Sequence, residues 1–549
     1  MTRAAWATLG LAILLILFGG RLLHSAQQNS FTIDEPHYVG TGLYLWESGD
    51  YHFFRSLRFH PPLAFHLASV PLLAMERPDV LGPDLGSRLI AAADGDLVRL
   101  RVASRLPFVL LCLWGAVLCF LWAREVAGDA AGLLAAFLFS FSPTILAYGA
   151  LAHSDGLLAV LFLQALYAFW RWLRAPGPGR LVLAGLALGL ALVAKLTAIL
   201  LVGILGILLA LAVWGRPGHP SFPALSARWP DPKRRLGAAA GAAVAIGLLA
   251  IGVIWLSYGA SFALATNPSG RFPDVALPAY LHSFLFVDFA RAEPRSVYLL
   301  GELTLDRSAS FFALAFLVKE PVAMLLLAVG AVASLGVRRG LLGAYLAIPI
   351  GVVLAFLMIY LEVPLGYRYA LPVIPLLCVF AATQLAGLEG PRRALVLGAC
   401  GLLVLESLWI HPHYLAHFNA LAGGPSRGDR YLLDANLDWG QDVATLARYL
   451  EKEPGAPVWL ALHGVEDPAA LGIRGRRLRG CAPVTGRLAI SANVRRGLYA
   501  PHNLLAKPVR GCFDWLDAFE PVARPGYSIL VYDLPQGTSP SGGPDSGSR

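Results

Sequence analysis

Two adjacent carboxylates, Asp34 and Glu35, lie in the stretch FTIDEPHYVGTGLYLWESGDY at residues 31–51, a few residues after an apolar N-terminal segment. Thr32 and Glu35 fit the T-x-x-E capping box of a helix start, so a structural role explains Glu35. Asp34 is not needed for that cap, and in the first helical turn the dipole would stabilise its charge. A carboxylate there is suited to act as a general base for a hydroxyl group. A helix cap and a catalytic base are therefore both open interpretations of the pair.

A second acidic position lies in YGALAHSDGLLAV, where Asp155 follows His153 between two apolar segments. Taken alone, Asp155 would be the N-cap of the next helix. The predicted topology nevertheless places it on the same membrane face as Asp34, and charged groups near membrane depth are costly and usually functional. An N-cap and a second acidic position of a catalytic site are therefore both open interpretations of Asp155.

Three lysine or arginine side chains lie at ends of apolar segments on the same predicted face. They are Lys195 in LVAKLTAIL, Lys319 in LVKEPVAM and Arg368 in LEVPLGYRYALPVIP. Each alone is explained by a long side chain that reaches the membrane surface. Together, beside carboxylates, they indicate a bound anion, and a lipid phosphate fits because a cation stabilises a phosphate leaving group. With a base opposite, this chemistry is glycosyl transfer from a polyprenyl-phosphate sugar.

The elements that must position these residues are long apolar segments. The chain has 549 residues, of which 57% are hydrophobic and 14% charged, whereas a soluble domain carries about 25% charged residues. A polytopic α-helical membrane protein with about eleven transmembrane helices is predicted. Its segments are at 5–23, 106–123, 130–148, 156–173, 181–194, 198–214, 237–258, 321–337, 341–360, 369–387 and 394–410. The net charge of +9 comes from short basic clusters between these segments, which excludes a nucleic-acid partner.

Basic clusters orient the helices by the positive-inside rule. Clusters at 171–180, 233–235, 338–339 and 392–393 all fall on the cytoplasmic face when the N-terminus is inside. The loop 24–105, the segment 259–320 and the region from 411 onward are then extracytoplasmic. The same agreement favours an uncleaved first segment over a cleavable signal peptide.

The C-terminal region has a different composition. We expect a transmembrane domain at 1–410, a small extracytoplasmic α/β domain at 411–535, and a disordered tail rich in Gly, Ser and Pro at 536–549. The strands are predicted in PVWLALHG, GRLAISAN and YSILVYDL, and a helix in VATLARYL. Cys481 and Cys512 in this domain could form a disulfide or remain free thiols.

The motif DANLDWGQD gathers polar side chains around one tryptophan. Asn436, Asp438 and Trp439 could bind an acceptor sugar by stacking and hydrogen bonds. An Asx-turn and helix cap before VATLARYL explains the same residues. Both interpretations are open.

Four motifs carry a family resemblance. They are DE at 34–35, HPPLAFHL at 60–67, HSD at 153–155 and GYRYALPVIPLL at 366–377. In their order and sidedness the chain resembles GT-C glycosyltransferases over residues 5–410. It is similar to the protein O-mannosyltransferase and aminoarabinose transferase branch, which is glycosyltransferase family 39-like, and its tail looks like that of a bacterial subgroup.

The resemblance implies roles for individual residues. Asp34 would be the base, Asp155 the second acidic position, and the outer basic residues Lys195, Lys319 and Arg368 the donor phosphate contacts. Aminoarabinose transferases carry an EKP run where this chain reads FHP at 59–61. His60 then stands in the lysine position as a phosphate contact, and the missing acid places a divalent metal cofactor in doubt.

The predicted function is transfer of a sugar from a polyprenyl-phosphate donor to a hydroxyl of a glycan, lipid or protein acceptor. It would occur at the outer face of a bacterial inner or plasma membrane. A secondary transporter is the first alternative, but that class predicts paired halves and a midplane site rather than charges at one face. A non-catalytic envelope assembly protein is the second, and it would not need Asp34.

Overall fold

A computed structural model describes most of the chain. The described residues are 3–51, 60–76, 85–91, 96–215, 225–260, 264–265, 277–281, 283–284, 297–304, 310–338, 342–361, 366–453, 455, 457–501 and 509–535. They form a large helical bundle and a small α/β unit at the C-terminal end.

Within the described residues, sixteen α-helices build the bundle. In chain order they are α1 (Arg3–Gln28), α2 (Glu35–Ser48), α3 (Leu63–Ser69), α4 (Leu85–Ala91), α5 (Leu97–Ala127), α6 (Asp129–Phe141), α7 (Pro143–Gly149), α8 (Ser154–Arg174), α9 (Pro178–Leu192), α10 (Leu200–Trp214), α11 (Pro232–Ser257), α12 (Ser310–Lys319), α13 (Val322–Arg338), α14 (Gly343–Ile359), α15 (Val373–Leu385) and α16 (Gly390–Trp409).

Each apolar segment predicted from the sequence contains a helix, as expected of a polytopic helical membrane protein. Among the described residues, 5 helices are long and apolar enough to cross a membrane, or 7 if each of two bent pairs is one span. Helices α9, α14 and α15 belong instead to a group of 10–17 residues. Hydropathy alone does not separate a full span from a shorter buried helix, so the number of spans stays a prediction.

Two sharp bends occur where a proline is the first residue of a helix or directly precedes it. The angle is 64° between α6 and α7, and 110° between α12 and the following helix. Pro143 and Pro321 stand at these breaks, where a residue without an N–H cannot continue the preceding ladder. The helix after the first bend, α7, leads to the segment with Asp155. The second bend directly follows Lys319.

The long loop predicted at 24–105 contains helices that pack on one another. Helix α2 lies against α3 so closely that a Cβ on Gly42 would be 2.0 Å from the carbonyl oxygen of Phe65. Only glycine fits there. This packing buries Phe65 and Leu72 in the protein, and residues 52–59 of the loop lie outside the described part.

The predicted outer segment 259–320 is described only in part. Antiparallel pairs join β1 (Leu264–Ala265) to β2 (Leu277–Pro278), and β3 (Val297–Leu299) to β4 (Glu302–Thr304). Other parts of the segment, such as 266–276 and 285–296, lie outside the described residues.

A four-stranded mixed sheet forms the centre of the C-terminal unit. Its strands are β5 (Val458–Ala461), β6 (Gly475–Arg477), β7 (Gly486–Ser491) and β8 (Ile529–Leu534), in the order β6-β5-β7-β8. β5 is parallel to β6 and β7, and β7 is antiparallel to β8. Helix α17 (Val443–Lys452) packs on the sheet through Val443 and Leu446, and the short α18 (Ala492–Arg495) follows β7. The three strands and the helix predicted here are confirmed, whereas the short, exposed β6 was missed.

The backbone between α1 and α2 joins this unit to the bundle. Within residues 30–33, which we call the connector, Ser30 N donates to Gln441 O at 2.8 Å and Ile33 N donates to Trp439 O at 3.0 Å. Ser30 Oγ accepts from Ala444 N at 2.9 Å. The connector therefore fixes the start of α2 against the DANLDWGQD motif.

A disulfide joins Cys481 to Cys512, which decides between the two states that the sequence left open. Cys112, Cys119 and Cys378 are buried free thiols in the bundle. Residues 536–549, predicted to be disordered, lie outside the described part of the chain.

Candidate active site

Asp34 lies at the N-cap position of α2, but its side chain does not cap the helix. Its Oδ2 instead accepts a hydrogen bond from Nη1 of Arg368 at 3.0 Å and lies 3.4 Å from Nε2 of His153. Partial burial opposes ionisation, but these two partners outweigh it and hold the pKa of Asp34 well below its ordinary value. The side chain is 38% exposed, so this carboxylate is ionised and accessible to a substrate.

Asp155 is buried behind Asp34 in the first turn of α8. Lys195 forms an ion pair with its Oδ1, and Nδ1 of His153 lies 2.8 Å from its Oδ2. Nη1 of Arg368 lies 3.7 Å from the same Oδ2. The structure thus brings together Asp34, Asp155, Lys195 and Arg368, from four separate segments, with His153 between the two acids.

Aromatic rings surround the two cations. The guanidinium of Arg368 lies 4.3 Å from the ring centroid of Trp439, and Nζ of Lys195 lies 4.5 Å from that of Tyr369. Both distances are within the range of cation–π contacts. Because Trp439 belongs to the C-terminal unit, that unit forms one wall of the site.

Glu35 is not exposed to this site. Its carboxylate accepts from Nε and Nη2 of Arg105 at 2.8 and 2.7 Å, from Thr32 N at 2.7 Å and from Ala152 N at 2.9 Å. Burial opposes its ionisation, but Arg105 and the backbone donors hold the pKa of Glu35 below its usual value. The side chain is fully buried, so we assign Glu35 the structural role and not the catalytic one.

His60 lies near the cluster as a neutral side chain. Its ring is stacked on that of Tyr38 with centroids 6.2 Å apart. Burial, with the charges of Lys195 and His153, lowers the pKa of His60 well below its ordinary value. It can therefore meet a phosphate only as a neutral hydrogen-bond donor.

Lys319 has other partners. Its Nζ donates to the carbonyl oxygens of Leu415 and Asn436 at 2.8 and 2.6 Å. Asn436 itself donates to Leu433 O and accepts from Tyr367 N, both at 2.7 Å. Both side chains predicted to touch substrate are thus used to fix the backbone before Trp439.

Asp438 is also used internally. Its carboxylate accepts from Gly440 N at 3.2 Å and from Asn493 N at 3.3 Å. Burial raises the pKa of Asp438 to about 8. Of the three predicted acceptor residues, only Trp439 presents its side chain to Arg368.

The chain is similar to one known protein family and to several solved structures. Residues 98–226 match the family described as dolichyl-phosphate-mannose-protein mannosyltransferase. ArnT from Cupriavidus metallidurans, solved bound to undecaprenyl phosphate, has a TM-score of 0.50 at 15% identity, over 97% of this chain and 100% of that one. Its apo form gives 0.49 at 16% identity, over 98% and 100%. The S. cerevisiae Pmt1-Pmt2 complex bound to the sugar donor gives 0.34 at 18% identity, over 47% and 33%. No curated protein sequence matches the chain.

The chain has the GT-C fold. The resemblance inferred from the sequence is therefore confirmed, by the family match within the bundle and by the fold shared with ArnT over almost the full length. In this GT-C protein the acidic and basic residues cluster at the ends of helices, beside the C-terminal unit.

Asp434, Tyr499 and His463 are neighbours in the structure, and the sequence did not predict this grouping. Tyr499 donates to Oδ2 of Asp434 at 3.2 Å, and the ring of His463 stacks on Tyr499 with centroids 4.5 Å apart. Burial raises the pKa of Asp434 to about 6. The nearby charge of Arg368 lowers this pKa, and that of Asp34 raises it. Asp434 has a φ of 59°, a conformation that Asp tolerates better than most residues. The sequence offered one signal, since Asp434 opens the same polar motif as Trp439.

Within the residues that the structure describes, no group of three or more His, Cys, Asp or Glu side chains could hold a metal ion. Asp34 is paired with Arg368 and Asp155 with Lys195. The proposed chemistry therefore uses these side chains.

Proposed function

We propose that this GT-C protein transfers a sugar from a polyprenyl-phosphate donor to an acceptor hydroxyl. One observation carries the proposal, namely that the accessible carboxylate of Asp34 is hydrogen-bonded to Arg368 at 3.0 Å, beside the buried Asp155–Lys195 pair. A base and two cations in one site are what sugar transfer from a phosphate requires. The fold supports it too, because ArnT with this fold was solved bound to undecaprenyl phosphate.

The donor lipid would lie beside the cations. An apolar crevice lined by Leu158, Phe162, Leu200, Phe356 and Tyr369 runs between helices α8, α10 and α14. Tyr369 is one of the lining residues, and its ring also contacts Lys195 and Arg368, at 4.5 and 5.8 Å from the ring centroid. An isoprenoid chain in the crevice would therefore place its phosphate at these two cations.

The transfer step needs one base and one stabilised leaving group. Asp34 accepts the proton of the acceptor hydroxyl as its oxygen attacks the anomeric carbon of the sugar. The bond between that carbon and the phosphate oxygen breaks, and its electron pair stays on the phosphate. Arg368 and Lys195 stabilise the added charge. The products are the glycosylated acceptor and the polyprenyl phosphate.

Donor binding would also prepare the base. Arg368 and His153 hold the pKa of Asp34 down in the donor-free state. A phosphate that draws the Arg368 guanidinium toward itself weakens this interaction, and the pKa of Asp34 then rises. A base with a higher pKa accepts a proton more readily, so the carboxylate becomes effective when a donor is present.

The acceptor would approach from the C-terminal unit. We propose that Asp434 and Tyr499 contact its hydroxyl groups, since both are partly exposed and share a hydrogen bond at 3.2 Å. The stacked pair of His463 and Tyr499 provides a flat apolar face of the kind on which sugars stack. This replaces Asn436 and Asp438, whose polar atoms bind the backbone.

We propose that the C-terminal unit is extracytoplasmic. The Cys481–Cys512 disulfide supports this, because disulfides persist in oxidising compartments. In intact cells, an impermeant maleimide should label Ala470→Cys but not Arg393→Cys, both in a background without the free cysteines Cys112, Cys119, Cys378 and Cys400. Labelling of Arg393→Cys from outside would reverse the orientation.

The decisive experiment supplies purified protein with radiolabelled polyprenyl-phosphate sugars and a membrane extract of the host. Labelled product should form with at least one donor and should not form with nucleotide sugars. Product formation in excess EDTA would show that no dissociable metal is required. If none of the lipid-linked donors is consumed while the protein remains folded, glycosyl transfer is wrong.

A further inference from the structure

A second cavity lies away from Asp34, between the C-terminal unit and the ends of the first membrane helices. Its volume is about 600 Å³, within the range of small-molecule sites. Four arginines and two glutamates line it, together with apolar residues of α17 and the sheet edge. The charged residues are Arg101, Arg448, Arg474, Arg487, Glu451 and Glu453.

The charges are not evenly distributed in this cavity, which we call the basic cleft. Arg101 is buried and Arg448 is half-buried, so they form its floor, whereas Glu451, Glu453 and Arg474 are exposed at its rim. Both guanidinium-bearing side chains line the same cavity. Two cations held together on a floor away from solvent are stabilised by an anion between them.

Only part of this positive charge is neutralised by the protein. Arg487 is fully paired with Asp533, through contacts of 2.8 and 3.0 Å. Arg448 donates instead to the carbonyl oxygen of Gln28 at 3.2 Å and to Thr445 at 3.0 Å. Within the described residues, no carboxylate lies in ion-pair distance of Arg448 or Arg474.

Arg101 points to a ligand independently. Its side chain is 3% exposed, and its Nε lies 3.6 Å from Oε1 of Glu466. Its Nη1 is buried and has no hydrogen-bond partner in the part of the chain that the structure describes. An unpaired buried guanidinium nitrogen is costly, and the cost is removed if an oxygen of a ligand accepts from it.

We propose that the basic cleft is an anion-binding site for a phosphate group. Arg101 and Arg448 would hold the phosphate through charge-assisted hydrogen bonds, with Arg474 at the entrance. The cleft differs from the donor site, because none of Asp34, Asp155, Lys195 and Arg368 lines it.

The position of the cleft allows two sources of phosphate. Arg101 lies in the second turn of the membrane helix α5, and Arg448 binds the last residue of another membrane helix, α1. A lipid headgroup at that membrane surface can therefore reach the floor. A soluble phosphate compound can enter through the rim. The bound phosphate would stabilise the contact between the C-terminal unit and the bundle, since its two main ligands come one from each.

The test uses the full-length protein, in detergent for one arm and in nanodiscs for the other. In detergent, inorganic pyrophosphate is titrated and binding is followed calorimetrically. In the second arm, thermal unfolding is compared between phosphatidylcholine nanodiscs with and without phosphatidylglycerol. Arg448→Gln and Arg474→Glu are compared with Arg479→Gln, which removes a charge from the same unit outside the cleft.

We expect saturable stabilisation or binding in at least one arm, weakened about tenfold or more by each cleft variant and unchanged in Arg479→Gln. A response to phosphatidylglycerol alone assigns the site to lipid, and a response to pyrophosphate assigns it to soluble phosphate. Arg474 is on the rim, so its variant tests binding even where Arg448→Gln fails to fold. Equal responses in Arg474→Glu and Arg479→Gln, or no response in either arm, would overturn the proposal.

Discussion

Arg368 donates a hydrogen bond to Asp34 over 3.0 Å while its guanidinium remains 4.3 Å from the ring centroid of Trp439. One arginine thus links the carboxylate at the start of α2 to the aromatic wall of the C-terminal unit. In the proposed reaction this arginine must serve both the base and the phosphate. The consequences can be tested separately for the base, the cation and the surrounding structure.

Asp34→Asn should abolish transfer without unfolding the protein. Asparagine retains the shape and the contact to Arg368, but it cannot accept a proton. General-base assistance contributes typically 10²–10⁴-fold, so turnover should fall by about two to four decades. Turnover and thermal unfolding are measured together, with Asp467→Asn on the surface as the control. Wild-type turnover in Asp34→Asn would mean that the carboxylate serves the helix rather than the chemistry.

Arg368→Lys should weaken use of the donor even though the charge is retained. A lysine has no planar group to lie on Trp439 and cannot span Asp34 and a phosphate with one fork. We expect the donor concentration for half-maximal rate to rise about tenfold or more. Donor saturation curves check this. The control Arg427→Lys, at an exposed arginine, should leave the curves unchanged. An unshifted curve for Arg368→Lys would place the donor phosphate elsewhere.

Glu35→Gln should act on stability. It removes the carboxylate from a fully buried pair and leaves the guanidinium of Arg105 uncompensated. Breaking a buried pair in this way costs about 3–5 kcal/mol. Thermal unfolding in detergent should show a large drop, while the surface variant Glu389→Gln should unfold like the wild type. A stable but inactive Glu35→Gln protein would return Glu35 to the catalytic set.

Asp438 should make the protein less stable as the pH rises. Burial raises the pKa of Asp438 to about 8, above its value of 3.8 in the unfolded chain. Between these values the folded state holds a proton that the unfolded state has lost, so stability falls with increasing pH. Asp438→Asn mimics the protonated form and should reduce the decline of the unfolding midpoint between about pH 4 and pH 8. Parallel pH profiles of the wild type and this variant would contradict the assignment.

The sequence predicted the bundle from composition, because a membrane helix carries its signal over about 20 consecutive residues. It could not predict the 64° and 110° bends, which depend on packing after Pro143 and Pro321. Asp34, Asp155, Lys195 and Arg368 were identifiable because charges are rare in apolar surroundings.

Partners that are distant in sequence could not be predicted. The pair of Glu35 and Arg105 is one example, since Arg105 resembles an ordinary flank of a membrane segment and nothing local indicates its partner. The use of Lys319 is another, since its bonds to Leu415 and Asn436 depend on how the C-terminal backbone folds over α12. The local contact was more readable, since Thr32 N donates to Glu35 as the T-x-x-E pattern indicates. The capping box itself was wrong, because α2 begins at Glu35 and its N-cap is Asp34 rather than Thr32.

The connector has a consequence for engineering. Ile33, directly before Asp34, is bonded to the carbonyl of Trp439, and Phe31 N donates to Oε1 of Glu466 at 2.8 Å. The C-terminal unit therefore helps to position the proposed base. This unit could be exchanged for that of a related protein in order to change acceptor preference. The exchange would also displace the carboxylate of Asp34, unless the grafted segment restores those backbone bonds.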